Sequence, residues 1–381
     1  GNRLHIFAVP EFGSLEPESV TEIEGSPRQL LWNREAARAV IFSSINPYQL
    51  PTDHRLFDVL TADDESDSRW RSETLSKITI LDVGTSGPPS VVRELFVEGQ
   101  YQTARMVDTS VRLGAYSWLE VPGVYDWWSD LEEEGLYVAK QLARARIAAR
   151  ELSDLVPAIY ELTSEGQLEI HALTEDDCRS FYRPENSHGR GFTSVLSFDM
   201  ADELVEFDAD HIVSNWPTFY ASEDSLYIAE PANDWWWFWW NEDAPEQLNI
   251  HRFDTRAAGQ ALYLGSGRVE GVLHNQFSLD EHEDRLRVAT TSNTRNRWWL
   301  DDPPEDENHV FVLELQVVSP QTAAGLQGDG LQIVGQLGGI APNERIFAAR
   351  MLGDRGYLVT FEQIDPLFTL DLSDPEDPRL V

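Results

Sequence analysis

The sequence predicts an all-β fold, a β-propeller built from four-stranded antiparallel blades. Residues 346–372 contain one complete copy of a repeated unit, in which short runs of alternating apolar and polar residues are separated by turns at Gly353 and Pro366. Similar units recur along the chain, and strands that end in glycine mark their boundaries, at Gly25, Gly99, Gly271 and Gly339. Repeated groups of short strands joined by polar turns are typical of propellers.

The repeat predicts a single domain over residues 1–381, divided into one half-unit and five complete units. The half-unit covers residues 1–25, and the complete units cover 26–99, 100–213, 214–271, 272–340 and 341–381. Each complete unit opens with a strand pair around a polar turn. A half-unit leaves strand edges unpaired, so we expect the chain to be a piece of a larger ring that other residues complete.

Long connections between the second and third strands of four units contain tryptophan, and in a propeller these connections emerge on one face. The residues are Trp70, Trp127, Trp128, Trp235, Trp236, Trp237, Trp239, Trp240, Trp298 and Trp299. Burying one such ring removes ~150–250 Å² from water, worth roughly 4–6 kcal/mol. The rings therefore either pack as a lid over the face or form an exposed platform for a sugar, a peptide or a partner protein.

The connection of the second complete unit also contains a predicted α-helix over residues 130–153. Glutamates 132–134 lie in its first turn and basic residues follow from Lys140 to Arg150, the order that the helix dipole favours. Its polar face carries both signs of charge. We therefore expect it to dock against the propeller rather than bind a membrane surface.

The charge of the chain limits its partners. It has 29 basic and 66 acidic residues and a formal net charge of −37. Such a surface repels phosphate backbones and anionic membranes, so we expect no nucleic acid partner, and it favours cations and basic proteins. No apolar run reaches the ~20 residues of a transmembrane helix.

Candidate metal and nucleophile residues are few. The acidic runs at residues 63–67 and 301–307 are rich in the oxygen ligands that Ca²⁺ prefers, but neither has the spacing of an EF-hand loop, so each also fits a solvated loop. The nine histidines are scattered and Cys178 is the single cysteine, which gives little support for a transition-metal site or a thiol nucleophile. We expect no required cofactor, with Ca²⁺ as the alternative.

Two arginines occupy equivalent positions in what should be the innermost strands of their units. Arg105 and Arg350 both lie within an Ala-Arg-Met tripeptide. Directed into a central channel, they would suit a carboxylate ligand. The alternative is that each forms an ion pair with an acidic residue of a neighbouring blade.

Several of these segments resemble one known family. Residues 349–361, followed by 365–375, resemble the most recognisable segment of a family of secreted bacterial and archaeal β-propeller proteins distantly related to WD-type repeats, and residues 97–106 and 220–228 resemble other segments of it. The resemblance implies a propeller in an exported, often membrane-tethered protein. It implies no catalytic residues.

We therefore predict a noncatalytic, extracytoplasmic binding scaffold that recognises a protein, peptide or carbohydrate on the tryptophan-rich face. One alternative is a propeller-type hydrolase or lyase with a metal or carboxylate site at the channel mouth. Another is a structural surface protein whose acidic coat binds Ca²⁺. No nucleophile elbow, P-loop or dinucleotide-binding motif is present in the sequence.

Overall fold

Antiparallel strands dominate the structure, a computed structural model of the chain. It describes residues 2–10, 13–60, 74–84, 87–119, 121, 133–163, 166–171, 180–185, 188–233, 245–294, 304–316, 330–361 and 366–381. Its contacts divide the chain into two compact units. The first comprises residues 1–182 and 191–212, and the second comprises residues 183–190 and 213–381.

The first unit contains a two-stranded hairpin and two larger sheets. The hairpin pairs β1 (Arg3–Ala8) with β2 (Glu16–Glu22). Sheet A has the order β10-β9-β6-β5-β4-β3, formed by β3 (Ser26–Asn33), β4 (Arg38–Ile45), β5 (Leu75–Asp82), β6 (Ser90–Glu98), β9 (Ile159–Leu162) and β10 (Leu168–His171). Sheet B has the order β11-β13-β12-β8-β7, formed by β7 (Gln100–Val107), β8 (Ser110–Trp118), β11 (Phe181–Tyr182), β12 (Gly191–Asp199) and β13 (Phe207–Ser214).

The second unit contains three four-stranded antiparallel sheets whose strands follow chain order. Sheet C is formed by β14 (Thr218–Ala221), β15 (Ser225–Pro231), β16 (Gln247–Asp254) and β17 (Leu262–Glu270). Sheet D is formed by β18 (Leu279–His282), β19 (Arg285–Ser292), β20 (Glu307–Gln316) and β21 (Gly330–Ile340). Sheet E is formed by β22 (Arg345–Leu352), β23 (Arg355–Phe361), β24 (Leu367–Asp371) and β25 (Arg379–Leu380).

These sheets confirm the predicted all-β fold of repeated four-stranded antiparallel groups with a preceding half-group. Two additions lie outside the repeat. The hairpin β9–β10 joins the free edge of β6, and the short strand β11 pairs with β13 in parallel. Both come from the long insertion of the second predicted unit. The repeat pattern does not cover this insertion, so it could not predict how these strands pair.

Helices are few in the described residues. The predicted helix 130–153 is present as α2 (Glu133–Ala148), which ends before residue 153, and residues 130–132 lie outside the described residues. A separate 3₁₀ turn (Leu152–Asp154) follows it, with Glu151 as its capping residue. The other α-helix is α1 (Phe57–Leu60), and further 3₁₀ turns occupy Pro47–Gln49 and Gln276–Ser278. None of the described helices combines the length and apolar character that a membrane crossing requires.

Apolar side chains fill the space between neighbouring sheets of each unit. In the first unit, Phe42 and Ile80 of sheet A and Phe198 of sheet B belong to one buried cluster. In the second unit, one cluster joins sheets C and D, and another joins sheets D and E. Because a sheet that lies between two others buries both faces, its central residues are apolar on consecutive positions, as in Val310 to Leu313, which are at most 2% exposed.

The glycines that mark the unit boundaries adopt conformations that other residues disfavour. Gly271 has φ +91° and Gly339 has φ +69°. A Cβ atom at position 271 would lie 2.8 Å from the carbonyl oxygen of Thr291, whereas a Cβ atom at position 339 would meet nothing within 4 Å.

We predict that Gly271→Ala lowers the free energy of unfolding by about 2 kcal/mol or more, because steric overlap adds to the roughly 1–2 kcal/mol cost of a left-handed conformation. Gly339→Ala, in the same unit, should incur only the conformational cost. Denaturant unfolding of the two variants measures the difference. Equal destabilisation would show that the space around position 271 adapts to a methyl group.

Candidate functional site

The predicted tryptophan platform lies outside the described residues. This holds for Trp70, Trp127, Trp128, Trp235, Trp236, Trp237, Trp239, Trp240, Trp298 and Trp299. The structure does describe the strands from which these connections leave. In sheets B, C and D, the tryptophan-bearing connection runs from the end of the second of the repeated strands to the start of the third, so it leaves each sheet at the equivalent end. We call the described residues next to a connection its stem.

Glu230 anchors the stem of the connection in sheet C. It lies next to the last residue of β15 and is 0% exposed. Its Oε2 accepts a hydrogen bond from the backbone N–H of Asn215 at 3.0 Å, and its Oε1 accepts one from Asn249 Nδ2 at 2.5 Å. Because a buried carboxylate requires such donors, this network fixes the backbone at the end of β15.

Neighbouring side chains extend the same network. Asn249 Oδ1 accepts a hydrogen bond from Arg268 Nε at 2.7 Å. His251 lies with its Nε2 4.0 Å from Glu230 Oε1 and its Nδ1 3.2 Å from the hydroxyl of Tyr263. Asn215 donates from Nδ2 to the carbonyl oxygen of Pro231, the last residue of β15, at 2.8 Å. These contacts join described residues on both sides of the stem.

A second carboxylate links two stems directly. Glu246 lies just before β16, at the stem of the connection in sheet C, and is 4% exposed. Its Oε2 accepts hydrogen bonds from the backbone N–H and the hydroxyl of Thr294, at 3.1 and 3.0 Å. Thr294 belongs to the stem of the next connection, in sheet D. The connections that contain Trp235 and Trp298 therefore start from stems that are hydrogen-bonded to each other.

The other side of the stem in sheet D is also held. Arg345 Nε donates to Asp306 Oδ2 at 2.6 Å, and Arg345 also donates to the carbonyl oxygen of Thr294 at 2.7 Å. Asn308, 0% exposed, donates to the carbonyl oxygens of Ile340 and Glu344 at 2.8 and 2.9 Å. One arginine thus joins the two ends of the connection at residues 294 and 306.

Two serine–histidine pairs have the separation of a nucleophile and its base. Ser194 Oγ lies 2.9 Å from His211 Nδ1, and Ser292 Oγ lies 2.9 Å from His309 Nε2. All four side chains are at most 3% exposed. A nucleophile must reach its substrate, and both pairs are buried in this structure.

Asp210 in β13 has a pKa that differs from its ordinary value. Burial is the main cause that raises the pKa of Asp210 to about 7, the charge of Asp208 adds to it, and a hydrogen bond with Tyr182 opposes it. Burial lowers the pKa of the adjacent His211 to about 4. Asp210 is 7% exposed, so this carboxyl group lies inside the protein.

The two arginines of the Ala-Arg-Met tripeptides are exposed on the first strands of sheets B and E. Arg105 donates to the carbonyl oxygen of Ala104 at 3.1 Å, and Arg350 donates to that of Ala349 at 2.6 Å. The guanidinium of Arg350 also lies 3.8 Å from the ring centroid of Phe277. Neither arginine forms an ion pair within the part of the chain that the structure describes.

Of the acidic runs, residues 63–67 and 301–303 lie outside the described residues, as does Cys178. In the described part of the second run, Asp306 binds Arg345, and Glu307 Oε1 accepts a hydrogen bond from the backbone N–H of Gly339 at 3.0 Å. Among the described residues, three metal-ligating side chains come together elsewhere, on the hairpin β9–β10 of sheet A.

The residues that hold the stems were not predicted from the sequence. A signal was available, since Glu230 and Asn249 are polar residues that are flanked in their strands by apolar residues on both sides. Polar residues at such positions indicate buried hydrogen-bond networks. The link between Glu246 and Thr294 joins positions 48 residues apart and has no local signal.

Comparisons with known proteins agree with this architecture. A family model described as a beta propeller domain matches residues 1–381. An uncharacterized protein of Archaeoglobus fulgidus is 38% identical over 189 residues, which are 49% of this chain and 26% of the relative. An uncharacterized protein of Methanocaldococcus jannaschii is 35% identical over 135 residues, which are 35% of this chain and 17% of the relative. The matches thus span about a quarter or less of these relatives.

Solved structures show only distant likeness. The β-propeller domain of the Trilobed protease from Pyrococcus furiosus is 10% identical, with a TM-score of 0.23, over 91% of this chain and 81% of that chain. An acylaminoacyl peptidase of Pyrococcus horikoshii is 8% identical, with a TM-score of 0.27, over 94% of this chain and 45% of that chain.

We predict that Glu230→Ala lowers the free energy of unfolding by about 2–5 kcal/mol, because it leaves the buried N–H of Asn215 and the amide of Asn249 without their acceptor. Glu223→Ala, at an exposed turn of the same sheet, should change it by less than about 0.5 kcal/mol. Denaturant unfolding measures both variants. A loss below about 1 kcal/mol for Glu230→Ala would contradict the anchoring role.

We also predict that Asp210→Asn changes how stability depends on pH. The ordinary pKa of this carboxyl group is 3.8 and the folded value is about 7, so the folded state binds the extra proton between these values. The contribution of Asp210 to stability is therefore lost as the pH rises through about 7. His211 acts in the opposite direction, because its folded pKa of about 4 lies below its ordinary 6.5.

Since His211 is present in both proteins, the comparison isolates Asp210. The variant should gain stability relative to the wild type as the pH rises from about 4 to about 7, measured by denaturant unfolding across that range. Stability curves that stay parallel would show that Asp210 titrates at its ordinary pKa.

Proposed function

We propose that this chain, which belongs to the beta propeller domain family, is a noncatalytic binding scaffold that recognises its partner through the tryptophan-bearing connections. The sheets bury apolar side chains on their faces, and interior polar groups such as Glu230 and Asn249 bond to each other. The tryptophan-bearing connections are the segments to which we assign recognition.

The hydrogen bonds between Glu246 and Thr294 are the observation that supports this proposal most directly. They join the stems of the connections in sheets C and D, which contain Trp235–Trp240 and Trp298–Trp299. Two aromatic segments that start from one fixed point can contribute to one recognition surface. Fixed stems also lower the entropy that the connections lose on binding.

The composition of the connections favours particular partners. Indole rings offer flat apolar faces that stack on sugars and on the side chains of peptides, and their N–H groups add hydrogen bonds. A cation placed over an indole face gains further attraction, and the net charge of −37 draws basic partners. We therefore propose a protein, peptide or carbohydrate partner, with basic peptides favoured, and an extracytoplasmic location for the encounter.

We predict that replacing the five tryptophans at 235–237, 239 and 240 by serine weakens binding at least 10-fold, because the stacking faces are removed. Glycan and peptide arrays probed with the whole chain identify the ligand, and calorimetry of the best ligand measures the effect. Trp32→Ser, which alters an exposed ring on β3, is the matched control. Unchanged affinity in the five-residue variant would overturn the proposed platform.

A further inference from the structure

Hairpin β9–β10 combines two carboxylates and an imidazole on one face. We propose that Glu161, Glu169 and His171 form a binding site for one divalent transition-metal ion. One ligand atom from each side chain lies within 4.8 Å of the other two. The site belongs to the hairpin that extends sheet A.

The strand register places these side chains together. Glu161 of β9 lies directly opposite Glu169 of β10, and His171 follows Glu169 by two residues, so all three point to the same face of the hairpin. His171 Nε2 lies 3.0 Å from Glu161 Oε2. Adjacent ligand atoms on an ion bound at ~2.1 Å are separated by roughly 3.0–3.4 Å, so this pair is already spaced for a shared ion.

Electrostatics at the hairpin also favour a cation. Like charges placed directly opposite on paired strands destabilise a hairpin. Arg93 of β6 offsets one of them, since its Nε and one terminal nitrogen donate to the two oxygens of Glu161 at 2.6 and 2.7 Å. One negative charge remains on the group after this pairing. Glu169 is exposed, so its carboxylate can turn toward an entering ion.

Arg93 is itself held in place, which fixes the orientation of Glu161. It donates to the carbonyl oxygen of Val205 at 2.6 Å, and its guanidinium lies 5.2 Å from the ring centroid of Phe207. His171 contacts the same ring edge-on, with centroids 5.1 Å apart. Partners that orient the ligands of a metal in this way are usual around metal sites and strengthen binding.

The donor set selects the class of ion. One imidazole nitrogen with two carboxylates suits Zn²⁺, Co²⁺ or Mn²⁺, whereas Ca²⁺ takes oxygen ligands alone. Three protein ligands leave at least one coordination position for water or for another molecule. The alternative of Ca²⁺ in the acidic runs therefore does not extend to this hairpin.

The test uses the whole chain stripped of metal by a chelator and then titrated with Co²⁺. Calorimetry counts the saturable sites, and the visible absorption of bound Co²⁺ reports its coordination geometry and ligand field. The variants Glu169→Gln and His171→Gln replace an exposed and a half-buried ligand, so the protein should still fold. Thermal unfolding of each variant checks this. Glu203→Gln, an exposed acidic residue of the same unit, is the matched control.

We expect one saturable site in the wild type and in Glu203→Gln, with at least 10-fold weaker binding in each ligand variant and a shifted Co²⁺ absorption spectrum in His171→Gln. Saturable binding of equal affinity in all four proteins would place the ion elsewhere and overturn the proposal. Purely diffuse, unsaturable binding in the wild type, as an acidic surface alone produces, would also overturn it.

Discussion

Burial of both sheet faces is the constraint on which this structure depends. Apolar side chains such as those between sheets C and D leave water together, and at ~25 cal/mol per Å² this burial is the main stabilising contribution to the fold. A polar group inside such a stack has no water and must find its partner in the protein. Glu230 and Asn249 meet this requirement at the end of sheet C, and this pairing sets where the connections leave.

The opposite ends of the sheets satisfy the same constraint with arginine. Arg252 of sheet C is 5% exposed and donates to Glu281 Oε1 of sheet D at 3.0 Å, with Asp284 as a further partner. Arg287 of sheet D donates to Asp280 at 2.9 Å and to the carbonyl oxygen of Gly353 in sheet E at 2.5 Å. Removing one partner of such a buried ion pair strongly destabilises a protein. These arginine pairs therefore stabilise the ends of the sheets.

Much of the fold followed from the sequence because its signals are local. Alternation and turn residues defined the strands, and glycines such as Gly271 marked positions where the backbone needs a left-handed conformation. The end of α2 was wrong because Glu151 and Asp154 form their own 3₁₀ cap. The place of the added hairpin escaped prediction because pairing β9 with β6 joins residues that are more than 60 apart in the chain.

The central claim is that the sheets hold themselves together and the connections serve recognition. Replacing residues 234–244 by a short Gly-Ser linker between Asn233 and Pro245, followed by denaturant unfolding, tests it most directly. If the claim holds, the midpoint and slope stay unchanged, and the free energy of unfolding changes by less than about 1 kcal/mol. A loss of several kcal/mol would contradict it, because a fully buried indole is worth roughly 4–6 kcal/mol and the rings would then form a stabilising lid.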